Sequence, residues 1–441
     1  MPHKLKKHAT KKRAKKTVSL SKFRKLVVPR PDVLHGYLRH DEINLYLEYL
    51  QNRYNFVTVH TLGQSYERRA LKAIEIDWNS EKNMDRIERH RARRTYMDKT
   101  VATATAPPPP PPPPPLSTNR VQSAFHSRNM IFIEGGTHAR EWITIAVALN
   151  CIYQLTEKHI RNYELLRKLR FIIVPVTNPD GYEYTFTKNR RWRKNRRPIS
   201  HTRHIGTDCN RNYDFHWEDG PSKVTRNTYK GVKPFSEPET RAIRNILQKN
   251  KQHLLFFLSL HSYAECIMYP WAYCKELPET WQKLEKLALT GRNAIKAYNG
   301  RHYRVGSIAI LSKRRISGSI VDYAFGVIQV PLALVMELPS HALGFQPPAE
   351  SISPIGHESW LGIREMCKVA YDLVPPCLYP AETLLSNTAT SKDQTAQLQR
   401  ANMKITKQPP TSTIDKQPFY DAALPVINND VLKNTQVPVK C

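Results

Sequence analysis

Four apolar runs, at residues 130–133, 171–176, 254–260 and 331–338, have the length of buried strands. Long segments with helical spacing separate them, at 142–155, 237–249 and 281–298. Apolar strands alternating with helices predict an α/β sheet covered on both faces, with ligands near the strands' carboxyl ends. Upstream, Asp41-Glu42-Ile43 leads into Leu45, Leu47 and Leu50 in a helix-like pattern. Residues 57–59 and 70–76 then read as short strands. A last helix over 359–373 is expected to close the domain.

Two stretches break this pattern. Residues 1–36 are expected to form a basic disordered arm, since residues 1–30 carry twelve Lys or Arg and no acid. From 79 to 128 the composition turns charged, then Ala/Thr-rich, then into nine consecutive prolines at 107–115. Such a run forms an extended rod without internal hydrogen bonds, so it reads as a surface insertion, a spacer or a ligand for a proline-binding module. The polar, proline-dotted segment 379–441 is expected to be a disordered tail. One domain over 37–378 remains, interrupted by the insertion.

Charge and cysteine usage sharpen the picture only a little. The net charge of +30 favours weak contact with polyanions through the basic arm, or is simply that of a solvated tail and a few basic loops. No stretch of about 18 apolar residues exists, which excludes a membrane-spanning helix. The seven cysteines include no CxxC pair, so reduced thiols are expected. The N-terminus lacks the apolar region of a secretory signal, which points to a chain that stays inside the cell or to an incomplete N-terminus.

The chemistry concentrates after residue 130. There a strand ends in Glu134-Gly135-Gly136, followed by Thr137-His138-Ala139-Arg140-Glu141-Trp142. His138 and Glu141 are close enough in sequence to hold one cation at the strand's end, and His261 ends another strand. Two imidazoles and a carboxylate leave a fourth position for water, as a catalytic zinc requires. Taken alone, the His138/Glu141 pair is equally a surface or capping pair.

The stretch Gly136-Thr137-His138-Ala139-Arg140-Glu141-Trp142-Ile143 resembles the metal-binding signature of the pancreatic-type zinc carboxypeptidases (carboxypeptidase A/B family). So do Asn178-Pro179-Asp180-Gly181-Tyr182, Arg190-Arg191-Trp192-Arg193-Lys194, Asp208-Cys209-Asn210-Arg211-Asn212, Pro234-Phe235-Ser236-Glu237-Pro238-Glu239-Thr240 and Leu260-His261-Ser262-Tyr263. They occur in the family's order. The resemblance implies a single α/β domain with a mixed sheet of about eight strands flanked by helices, and one zinc ion, Zn2+, per chain. It implies that His138, Glu141 and His261 ligate the metal. Glu337 matches the general base that takes a proton from zinc-bound water, and burial at the end of an apolar strand raises a carboxylate's proton affinity. Arg193 matches the arginine that polarises the scissile carbonyl. Asn210 and Arg211 match the pair that grips the terminal carboxylate, for which the planar guanidinium is suited. Arg140 matches a residue lining the approach, Tyr263 is counted with the substrate-binding residues, and Arg190 is a secondary subsite candidate.

Val321 falls where an acid would select C-terminal Lys or Arg. With Met268, Ala272, Ile316 and Val335 it makes the pocket apolar, and an unpaired buried cation is costly. The expected substrates are therefore peptide and protein C-termini ending in apolar or aromatic residues, cut by a monomer. Three features depart from the family. Its substrate-closing tyrosine is replaced by Lys313, Arg314 and Arg315. A globular pro-domain is not expected. The paired cysteines of secreted members are absent, with His204 and Thr225 near their positions. Two alternatives to an active exopeptidase stay open: a weakened or inactive carboxypeptidase that binds peptide C-termini, and an interaction protein working through the basic arm and the proline rod.

Overall fold

The computed structural model describes residues 30–80, 82–89, 129–339 and 344–374. The proline run, most of the basic arm and the tail lie outside the described residues. Packed chain begins before Tyr37: Val33 is buried and Arg30 Nε donates to Glu157.

Eight strands form one mixed sheet. They are β1 (Val57–Gln64), β2 (Ala70–Ile76), β3 (Met130–Glu134), β4 (Arg170–Val174), β5 (Leu254–Ser262), β6 (Cys266–Tyr269), β7 (Arg304–Ser307) and β8 (Leu332–Leu338), in the order β1-β2-β4-β3-β5-β8-β6-β7. β4, β3, β5 and β8 run parallel at the centre, while β1/β2, β2/β4 and β6/β8 are antiparallel. Central parallel strands must be apolar on both faces. Along β3, Ile131 and Ile133 enter one core cluster and Met130 and Phe132 the other.

The first cluster is roofed by α1 (His40–Arg53), α2 (Trp142–Thr156), α5 (Trp281–Asn299) and α6 (Ile352–Leu373). The second lies under α4 (Pro238–Lys249), whose Ile243, Ile246 and Leu247 repeat at helical spacing. Between β4 and the loops of the site comes α3 (Pro179–Thr187), started by Asn178, whose side chain accepts the Gly181 N–H. Residues 82–89 are also helical.

The closing helix starts at Ile352, not at residue 359. Pro354 lies in its first turn, where a proline is tolerated because its missing N–H would have no partner within the helix anyway. Strand β5 runs on through His261 to Ser262, so that histidine lies within the ladder. Among the described residues no helix is long and apolar enough to cross a membrane. Cys151, Cys209, Cys266, Cys274 and Cys367 are free thiols.

Candidate active site

Parallel β3, β5 and β8 end side by side, and their carboxyl ends carry the chemistry. Register pairs His261 on β5 with Glu337 on β8. After β3 the chain turns through Gly135 and Gly136 to reach the start of α2. Gly136 has φ +67°, and a Cβ there would meet the Ile145 side chain at 2.9 Å. A glycine is needed for both reasons. This tight turn brings His138 and Glu141 back under the end of β5.

His138, Glu141 and His261 are buried, and one ligand atom of each lies within 4.8 Å of the others. His138 Nδ1 is 2.9 Å from Glu141 Oε1, and His261 Nδ1 is 3.0 Å from Glu141 Oε2. The two Nδ1 atoms themselves face each other at 3.1 Å. Two ring nitrogens and a carboxylate converging on one point need a cation or a proton between them. Burial presses the His261 imidazolium down, but the hydrogen bond and charge of Glu141 overcome it and raise the group to about 9. Burial likewise works against Glu141's charge, yet the two histidines hold its carboxyl well below the usual range.

The far side of each ligand is also fixed. Asp208 Oδ1 lies 3.2 Å from His138 Nε2, and the Asn210 amide lies 3.2 Å from His261 Nε2. Ser262 N–H donates to Glu141 Oε2. An acceptor such as Asp208 orients a metal-binding imidazole and raises its basicity, whereas Asn210 turns its NH2 towards His261 because its Oδ1 accepts the Ile320 N–H. The donor set and its convergence therefore fit a zinc ion, which takes imidazole nitrogen and carboxylate oxygen in tetrahedral sites with one position open.

Arg193 stands next to this cluster. Its Nε and Nη2 each lie 3.0 Å from Asp208 Oδ2, and Nη1 lies 3.8 Å from Glu141. Glu337 is half-buried. Burial pushes its carboxyl to about 7, with His261 opposing and Glu141 adding to the rise. Asn210 Oδ1 accepts the Ile320 N–H, tying the Asp208–Asn212 turn to the segment that carries Val321. Arg211 Nη1 donates to the Asn210 carbonyl. Burial and the nearby Arg193 lower the Arg211 guanidinium, with Asp208 opposing.

At the mouth, the Arg140 guanidinium lies 4.0 Å from the centre of the Phe345 ring, and Tyr263 meets Phe345 edge-on. Arg140 Nε is buried without a hydrogen-bond partner. Arg190 is already engaged, donating to the Arg140 and Phe345 carbonyls and stacking on Trp142 at 3.8 Å. Met268, Ala272, Val321 and Val335 are buried in the same core cluster, with Ile316 packed against it, and Met268 faces Val335 in register.

Four residues contribute without having been singled out in the sequence. Asp208 sits in the Asp-x-Asn-Arg run, where its spacing from Arg211 was the available signal. Glu134, at the end of β3, accepts hydroxyls from Thr137, Thr177 and Ser259, bracing the base of the metal cluster. Phe345 gave no local signal. Asp322, adjacent to Val321, is a buried acid that accepts N–H groups from Ala272 and Tyr273. Burial raises it to about 7 against those hydrogen bonds.

A model of the zinc carboxypeptidase family matches residues 43–362. Carboxypeptidase B of Astacus astacus is 30% identical over 345 residues, covering 76% of this chain and 98% of its own. Carboxypeptidase B of Helicoverpa zea is 38% identical over 259 residues, covering 56% of this chain and 60% of its own. Carboxypeptidase O of Homo sapiens is 35% identical over 256 residues, covering 57% and 68%. Among solved structures, bovine thrombin-activatable fibrinolysis inhibitor in complex with tick carboxypeptidase inhibitor superposes with a TM-score of 0.62 at 26% identity, over 77% of this chain and 99% of that one. Carboxypeptidase A from Helicoverpa armigera gives 0.62 at 26% identity, over 76% and 75%. With the family model spanning all eight strands and the candidate metal-binding residues His138, Glu141 and His261, the chain belongs to the zinc carboxypeptidase family and is a metallocarboxypeptidase.

Proposed function

We propose that this chain removes the last residue of peptides and proteins that end in an apolar or aromatic side chain. The observation that carries the reading is the convergence of His138, Glu141 and His261 beside Glu337, with Arg193, Asn210 and Arg211 on the adjoining loop.

His138, Glu141 and His261 would hold the zinc. Bound there, it supplies a Lewis acid and a lowered pKa for water. Glu337 acts as general base, taking a proton from the attacking water and handing it to the leaving amine. A carboxyl near 7 suits that shuttle, since catalytic groups work best near the operating pH. Arg193, oriented by Asp208, stabilises the negative charge that develops on the scissile carbonyl oxygen. Arg211 and Asn210 receive the terminal carboxylate, a planar guanidinium meeting two oxygens. Arg140 and Tyr263 line the approach.

The apolar lining at Val321, Met268, Ala272 and Val335 supports the preference. Asp322, the buried acid beside Val321, is turned to the backbone, its two oxygens accepting the Ala272 and Tyr273 N–H groups. Separately, the basic arm and the prolines at 107–115 are proposed as contacts for polyanions and for a proline-binding module.

The test is release of Phe and of Arg from blocked dipeptides, with and without a zinc chelator. Chelator-sensitive release of Phe is expected. Preferred release of Arg would overturn the pocket assignment. No release from zinc-loaded protein would point instead to a carboxypeptidase fold that only binds C-termini.

A further inference from the structure

Between the loop 219–228 and the strap 312–317 opens a cavity of about 630 Å³, with Arg211 in its wall, that none of the roles above uses. That volume falls in the range of small-molecule sites, about 300–1,000 Å³. Arg211, Arg226, Arg314 and Arg315 line it against a single acid, Asp219, and Thr228, Ser312 and Ser317 add hydroxyls. Asp219 is exposed and lies 3.7 Å from His216. Arg226, Arg314 and Arg315 are exposed and make no ion pair among the described residues. Glu276 feels the Arg315 charge but is not part of the lining. Guanidinium groups gathered round one space repel each other, and an anion among them relieves that repulsion.

Both walls are closed by their own hydrogen bonds. On one side Lys230 N–H donates to the Pro221 carbonyl and Arg226 N–H to the Lys223 carbonyl, each at 3.0 Å, tying off the loop that carries Arg226. On the other, Ser312 Oγ donates to the Arg314 carbonyl at 3.1 Å, and Ile316 N–H to the Ala272 carbonyl at 2.7 Å. Gly318 ends this strap: with φ +66° it lies so close to Arg211 that a Cβ would sit 2.3 Å from its carbonyl oxygen. The four arginines therefore stand on backbone that is already fixed, so an anion need not order a loop in order to bind.

We propose that this cavity is a binding site for a small non-substrate anion that carries two or more phosphate or sulfate groups. It shares only Ile316 with the apolar pocket, so its occupant is not the side chain that the pocket receives. Planar guanidinium forks meet such oxyanions through paired N–H bonds. Four forks spread round one cavity are more than a single anionic group can engage, which selects a ligand with at least two. Because Arg211 belongs to both sites, the occupant should compete with a peptide's terminal carboxylate. That second step rests on reading Arg211 as the holder of the carboxylate. Three of the four arginines are exposed and screened by salt, so binding should weaken as ionic strength rises.

Propanedisulfonate is the probe, since a sulfonate keeps its charge at any working pH and is a poor zinc ligand; propanesulfonate is its singly charged control. Calorimetry on the zinc-loaded full chain at low salt should show the disulfonate binding about tenfold tighter, the gap expected of one further charge-assisted contact. An Arg226→Ala/Arg314→Ala double variant should lose that gap. If the double variant does not fold, Arg314→Gln alone should weaken the disulfonate several-fold. Equal affinities for the two sulfonates in the wild type overturn the proposal, as does a gap that survives these substitutions. In wild type the disulfonate should also raise KM for a blocked dipeptide ending in Phe and leave kcat unchanged. If it binds and KM does not move, the site stands and the reading of Arg211 as carboxylate holder has failed. If no Phe is released at all, the peptidase reading has failed, and calorimetry still decides the site.

Discussion

Asp208 touches both halves of the chemistry: its Oδ1 lies against His138 Nε2 and its Oδ2 takes two nitrogens of Arg193. Burial alone would drive its carboxyl up, but Arg193, Arg211 and His138 hold it well below the usual carboxylate range. It thus stays charged at any working pH and keeps the His138 ring turned with Nδ1 inward. Asp208→Asn retains size but removes that charge, and its amide can present an N–H where His138 needs an acceptor. Loss of such an outer partner weakens metal binding by about 10- to 100-fold. Competition with a chromophoric chelator should show that loss. Zinc affinity unchanged in the variant would reduce Asp208 to a structural partner of Arg193.

At the scale of elements, the start of α4 carries a second buried acid. Glu239 is fully buried, with Oε2 accepting from Asn195 and Oε1 without a partner. Burial raises its carboxyl to about 7, against the ordinary 4.5, with its own N–H and Asn195 opposing. Below about pH 4.5 both the folded and the unfolded chain hold the proton. Between 4.5 and 7 only the folded chain keeps it, so stability falls as pH rises through that window and then levels off. The shift corresponds to about 3 kcal/mol. Glu239→Gln stays neutral, so its stability relative to wild type should gain by about that amount between pH 4.5 and 8, read from denaturant unfolding at each pH. A constant difference across the window would show that Glu239 ionises freely in the fold.

The elements legible in the sequence are those with enough length to show a period. The central strands β3, β4, β5 and β8 announced themselves as apolar runs because both faces are covered. Strands β6 and β7 have four residues each, too few for alternation to register, and β7 begins with an exposed arginine. Helix α3 hid behind Pro179-Asp180-Gly181, which reads as a turn until Asn178 is seen to cap it. The candidate metal trio was legible through motif resemblance, since the His138/Glu141 pair alone reads equally as a surface or capping pair, and His261 lies within the β5 ladder, one residue before its end. Glu134, Asp208 and Phe345 were not, since what distinguishes them is a contact between segments far apart in sequence.

That separation has a consequence for the whole molecule. The site is assembled from four stretches, 138–141, 193–211, 261 and 337, joined at the carboxyl ends of the sheet's central strands. The unfolded chain cannot bring these donors together, so zinc binds the folded state almost exclusively and its binding energy adds to folding stability. At free zinc a thousandfold above its dissociation constant that gain is about 4 kcal/mol. Chelation should therefore lower the melting temperature by several degrees, and added zinc should restore it. Protons compete with the metal for the same two imidazoles and carboxylate, so the gap between loaded and chelated protein should widen as pH rises from 6 to 8. His261→Ala, which removes one ligand from the middle of the cluster, should abolish most of the gap. Differential scanning calorimetry of both proteins with and without chelator measures it. A wild-type melting temperature indifferent to zinc would mean that the three side chains, though they converge, hold no ion worth several kcal/mol.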